Sequence, residues 1–98
     1  MTFDSIYDAV KTQAANLAPF GAKLKFDLDG NIIFIDGTGT ENVVSNANDE
    51  AACTISTDMD SFIKLKNGDL NPMMAVMTGK VKIKGDMGLA MKLQSLIQ

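Results

Sequence analysis

The first hydrophobic pattern in the chain has a period of three to four: Phe3, Ile6, Tyr7, Val10, Ala14 and Leu17 form one stripe. Side chains so spaced share one face of an α-helix, and Asp4 falls near its positive N-terminal end. Pro19 and Gly21 close it. The period then drops to two. Ala22, Leu24, Phe26 and Leu28 alternate with Lys23, Lys25 and Asp27, which predicts a strand with one buried face. Asp29-Gly30 is a hairpin turn signal. The strand after it, Ile32-Ile33-Phe34-Ile35, is apolar on both faces and is expected centrally in a sheet. Gly37-Thr38-Gly39 turns the chain into a third strand around Val43-Val44. Residues 45–50 are polar and read as a loop, and Cys53-Thr54-Ile55 as a fourth strand.

Beyond residue 56 the helical period returns. Thr57 has the chemistry of an N-cap, with Asp58 and Asp60 in the first turn. Met59, Phe62 and Ile63 supply the apolar face, and Gly68 stops the helix. Asn71-Pro72 pairs a cap with a proline at the first helical position, starting a short helix over 73–77 that Gly79 ends. Val81 and Ile83 alternate with Lys80, Lys82 and Lys84 in a fifth strand. Gly85-Asp86 then opens a last helix carrying Leu89, Met91, Leu93 and Leu96. Helix, four strands, two helices, strand and helix make an α+β fold, a five-stranded sheet with helices packed on one face. Residues 1–98 read as one domain, without linker, repeat or low-complexity tract.

Charge narrows the functions open to such a domain. Nine lysines, no arginine and 12 carboxylates give a net charge of −3. Nucleic-acid binding needs clustered Lys and Arg, so no nucleic-acid partner is expected. There is no histidine, the commonest general base and metal ligand at neutral pH. The single cysteine, Cys53, cannot form a disulfide or a thiolate zinc site within the chain and reads as a small buried hydrophobe. Asp27, Asp29 and Asp36 surround a hairpin, where turn chemistry explains them better than a calcium site does. Ser5, Ser45, Ser56, Ser61 and Ser95 have no histidine to activate them. The glycines of residues 37–40 lack the trailing Lys-Ser or Lys-Thr of a phosphate loop. Hydrolase, oxidoreductase and kinase chemistry all lack their residues, so the expectation is a protein that is not an enzyme and uses no cofactor and no metal. Neither end of the sequence carries a signal peptide, a peroxisomal tripeptide or a prenylation cysteine, which makes the cytoplasm the expected location.

What remains is an apolar surplus. Hydrophobic residues make up 46% of a chain whose size leaves little interior. Five of the seven methionines, Met73, Met74, Met77, Met87 and Met91, fall in one short segment. Methionine is unbranched and adapts to irregular apolar shapes. Both the 71–77 helix and the last helix are apolar over most of their circumference, and a small domain can hardly surround two such helices. A cavity between helices and sheet, or an interface, would resolve this.

The second half of the chain resembles the sterol carrier protein 2 domain family. The resemblance rests on Gly68-Asp69-Leu70-Asn71-Pro72, Gly79-Lys80-Val81-Lys82 and Gly85-Asp86-Met87-Gly88-Leu89-Ala90-Met91-Lys92-Leu93. Ala52-Cys53-Thr54-Ile55 is similar to another strand of the family. Residues 1–50 agree only in the order of their elements. The resemblance implies helices and sheet enclosing a hydrophobic tunnel that binds sterols, fatty acids, fatty acyl-CoAs or phospholipids, and movement of such lipids between membranes. It places Phe62, Ile63, Met73, Val76, Met77, Leu89, Met91 and Leu93 along that tunnel, with Phe34 and Ile55 on its sheet side. Many members carry aromatic residues where Val76 and Met77 stand, so a cavity of different shape is expected here. Related domains fused to enzymes suggest an alternative, an interaction or oligomerisation module whose apolar groove receives a partner segment. Lys80, Lys82 and Lys84 read either as a solvated edge that discourages aggregation or as a contact for an anionic membrane surface.

Overall fold

The computed structural model describes the backbone of residues 2–97 and the side chains of residues 2–92. In chain order it contains α1 (Phe3–Ala15), β1 (Lys23–Leu28), β2 (Asn31–Asp36), β3 (Val43–Ser45), β4 (Cys53–Thr57), α2 (Met59–Asn67), α3 (Pro72–Met77), β5 (Val81–Gly85) and α4 (Met87–Ile97). The order is the one the hydrophobic pattern predicts. The five strands form one sheet in the order β3-β2-β1-β4-β5. All neighbours are antiparallel except β1 and β4, which run parallel with Phe26 opposite Ile55. The strand apolar on both faces, β2, is interior but not central; that place belongs to β1.

Register sorts the sheet into two faces. Leu24, Phe26 and Leu28 lie level with Ile35, Ile33 and Asn31 on one side and with Cys53, Ile55 and Thr57 on the other. These residues share a face, because opposite residues in a ladder point the same way. Ile6, Val10 and Ala14 of α1 pack on this face and complete a core that reaches Phe62, Leu65, Ala75 and Ala90. Phe26 and Phe62 meet edge to face, with centroids 5.5 Å apart, a geometry the ring quadrupole favours.

Local chemistry fixes the connections. Asp29 and Gly30 both have positive φ, 54° and 86°, as the two-residue hairpin turn requires. The carboxylates around this hairpin serve backbone amides. Asp27 accepts from Gly30 N–H at 2.8 Å, Asp29 from Met59 N–H at 3.0 Å, and Asp36 from Thr38 N–H at 3.0 Å. Asp29 thereby supports the start of α2, whose N-cap is Asp58; Thr57 completes β4 instead. After α1 ends at Ala15, the chain crosses to β1 over Asn42. This buried side chain donates to Ala14 O, Leu17 O and Ala18 O and accepts from Phe20 N–H.

Candidate functional site: an apolar groove beneath α3 and α4

Two short motifs place the methionines. Asn71 Oδ1 accepts from the amides of Met73 (2.9 Å) and Met74 (3.4 Å), with Pro72 at the first helical position. The resulting α3 buries only Ala75 and lays Pro72, Met73, Val76 and Met77 along one side. Asp86 does the same for α4: its Oδ1 accepts from Gly88 N–H at 2.8 Å and Leu89 N–H at 3.3 Å. Met87 and Met91, four apart, then share a helical face. The preceding Gly85 has φ +104°, and any Cβ there would collide with the Ala52 carbonyl. That carbonyl accepts from Asp86 N–H at 3.0 Å, so β5, β4 and the start of α4 close on one point.

Between these elements lies a groove of about 280 Å³, close to the lower end of the ~300–1,000 Å³ usual for small-ligand sites. Ile55, Val81 and Ile83 of the sheet and Phe62, Leu65 and Ala90 of α2 and α4 form its floor. Pro72, Met73, Val76, Met77, Met87 and Met91 form its rim. The floor is buried or half-buried, whereas the rim methionines and Val76 are exposed. Among the described residues no lining side chain carries a hydroxyl, an amide or a charge. The space is thus open to solvent along the rim, and its described lining can hold an apolar chain by exclusion from water but offers no group to transfer a proton or to attack an ester carbonyl.

Of the residues expected at the site, Ile55, Phe62, Met73, Val76, Met77 and Met91 come together on this groove. Ile63 and Leu89 instead pack, half-buried, against the core. Phe34 lies on the opposite face of the sheet, level with Lys25 and Ser45. It is buried there; its ladder partner Lys25 donates through Nζ to Asn48 Oδ1 (3.0 Å) and to the Asp49 carbonyl (2.9 Å). Its strand is apolar on both faces, so periodicity alone could not choose a side. The side chain of Leu93 lies outside the described residues. Leu65, Pro72, Val81, Ile83, Met87 and Ala90 also line the groove. Alternation along β5 does put Val81 and Ile83 on one face, but sequence does not tell that the face meets a groove rather than solid core.

A second hollow, about 270 Å³, is polar and lined by Asp27, Asp29, Ser56, Thr57, Gly79, Lys80 and Lys82. Asp27 and Asp29 are engaged by backbone amides, and Thr57 donates to the Lys80 carbonyl at 2.8 Å. No group of three or more potential metal-ligating side chains occurs among the described residues. Cys53 is fully buried in β4; burial, then the Asp86 carboxylate, raises its pKa, so it stays a thiol. Among the described residues no helix is long and apolar enough to cross a membrane.

The profile of the SCP-2 sterol transfer family matches residues 3–98. Human sterol carrier protein 2 is 47% identical over 58 residues, covering 59% of this chain but 11% of that protein. Human hydroxysteroid dehydrogenase-like protein 2 is 38% identical over 98 residues, covering 96% of this chain and 22% of the other. The chain therefore spans less than a quarter of these relatives. In solved structures the fold recurs in palmitated SCP2L2 from Aedes aegypti, with a TM-score of 0.68 at 18% identity over 100% of this chain and 96% of that one. With a family profile matched from the first helix to the last residue, and the groove framed by the motifs of α3 and α4, the chain belongs to the SCP-2 sterol transfer family.

Proposed function

We propose that this domain is a carrier of long-chain lipids such as fatty acids, fatty acyl-CoAs, sterols and phospholipids. It holds them in the α3–α4 groove without altering ester or thioester bonds and passes them between membranes in the cytoplasm. One observation carries this reading: all twelve described side chains that line the groove are apolar, and much of the rim is uncovered. The family membership and the palmitated relative support it. Burying about fifteen methylenes at about 0.8 kcal/mol each supplies about 12 kcal/mol. An association cost of about 4 kcal/mol leaves about 8 kcal/mol, a micromolar Kd. Ile55, Phe62, Met73, Val76, Met77 and Met91 are the proposed contacts.

Residues 1–98 act as one domain in this reading. Lys80, just before the edge strand, and Lys82 and Lys84 on it are exposed and alternate with the groove-facing Val81 and Ile83, and we place the contact with anionic membranes there, at about 1 kcal/mol per lysine. A fluorescent fatty-acid titration with native mass spectrometry should give saturable binding of one lipid. Vesicle-to-vesicle transfer should quicken with anionic lipid and slow with salt. Absence of saturable uptake would overturn the carrier reading and leave the groove as a seat for a partner segment.

A further inference from the structure

The groove lining contains side-chain heteroatoms of one kind. Among its twelve described residues the only non-carbon side-chain atoms are the four thioether sulfurs of Met73, Met77, Met87 and Met91. All four residues are exposed, from 57% for Met87 to 78% for Met77. A thioether neither transfers a proton nor attacks an ester, but it accepts an oxygen atom from a peroxide. Leucine would line an apolar groove with less flexibility and no such reactivity. Met59, half-buried on α2, and Met74, 53% exposed on α3 but not lining the groove, provide comparators within the same chain.

We propose that the four groove methionines are the oxygen-accepting site for lipid hydroperoxides bound in this groove, an inference that rests on the lipid-carrier reading. The thioether sulfur attacks the terminal oxygen of the hydroperoxide R–O–OH. A new S–O bond forms, the O–O bond breaks, and the hydroperoxide proton passes to the departing alkoxide oxygen. The lipid leaves as the alcohol R–OH, reduced by two electrons, and the methionine becomes its sulfoxide, oxidised by two. Each thioether accepts one oxygen, so the reaction is stoichiometric until methionine sulfoxide reductases restore the sulfurs. The sulfoxide is polar, and a rim carrying several of them presents a less apolar surface to the next lipid. The groove thereby reports its own oxidation as weakened lipid binding.

The test uses the intact chain and a long-chain fatty acid hydroperoxide, with hydrogen peroxide as the unbound oxidant. Peptide mass mapping follows oxygen addition at each methionine, and chromatography follows conversion of hydroperoxide to hydroxy acid. With the lipid hydroperoxide, the groove methionines should oxidise about tenfold faster than Met74, because binding holds the peroxide beside them. With hydrogen peroxide that preference should vanish, and saturating palmitate should suppress the lipid reaction. A variant carrying Met73→Leu, Met77→Leu, Met87→Leu and Met91→Leu should return unchanged whatever hydroperoxide it binds, whereas Met74→Leu, outside the groove, should bind and reduce it as the wild type does. Equal oxidation of Met74 and the groove methionines by the lipid hydroperoxide would overturn the proposal. So would binding of the hydroperoxide without its reduction, which leaves the carrier reading standing; failure of the wild-type protein to bind palmitate would overturn both.

Discussion

Beneath β1 and β2 the residues Ile6, Val10, Leu24, Phe26, Leu28, Ile33 and Ile35 are at most 1% exposed, whereas across β5 Met73, Met77 and Met91 stand at 72%, 78% and 71%. Both regions are apolar, and both belong to the same sheet and its covering helices. They differ in side-chain type and in what covers them. The sealed side uses leucine, β-branched and aromatic residues, all branched or ringed, and α1 lies across it. The open side uses unbranched methionines: Met73 and Met77 on a six-residue helix that buries only Ala75, and Met91 on α4. Rigid side chains with fixed neighbours make a core; flexible ones with a neighbour missing make a site.

The comparison breaks most easily at its sealed end. Phe26→Ala should cost about 3–5 kcal/mol in chemical denaturation, since it empties a fully buried position and removes the ring facing Phe62. Next comes Asn42→Ala, which strips partners from the backbone groups of Ala14, Leu17, Ala18 and Phe20. It should lower stability by about 1–3 kcal/mol without changing fatty-acid affinity per folded molecule. At the open end, Met77→Trp should shift stability by no more than about 0.5 kcal/mol while lowering fatty-acid affinity about tenfold. A Met77→Trp loss as large as that of Phe26→Ala would show that the rim is core after all.

The smallest effect is in pH. The pKa of Cys53 is raised by burial, so its contribution to stability is complete below the ordinary thiol value and declines as pH rises through and beyond it. Cys53→Ala should flatten that alkaline limb, and thiol reagents should label Cys53 only upon unfolding. Asp36 behaves oppositely: the Thr38 hydroxyl and amide hold its carboxyl below the ordinary value, so its contribution is lost as pH falls through the carboxylate range. Asp36→Asn should flatten the acid limb slightly.

The elements were legible because each has a local cause. Period two marks β1, the Asp29-Gly30 turn accounts for the hairpin, and Asn71-Pro72 and Gly68 bound their helices in the structure as in the pattern. What escaped was long-range. Phe34 sits in a strand apolar on both sides and is buried on the face that the local pattern could not choose, level with Lys25. Ile83, which alternation alone would send into a solid core, lies half-buried on the groove floor opposite Ile55. Whether an inward side chain meets packing or a groove depends on how far α3 stands off β5, and no local signal encodes that separation.

The shortness of α3 has a mechanical consequence. Helices below about 12 residues are marginal on their own, and α3 is held by its Asn71 cap, by Ala75 and by the Thr78 hydroxyl on the Met74 carbonyl at 2.8 Å. Displacing it leaves the β1–β4 ladder untouched, so amide hydrogens in 73–78 should exchange long before those in 24–28. The groove thus has one stiff wall, the sheet, and one compliant wall. The sheet limits how deep a ligand can settle, and α3 yields to its width, so bulkier molecules can be admitted at the cost of displacing one helix of fewer than two turns.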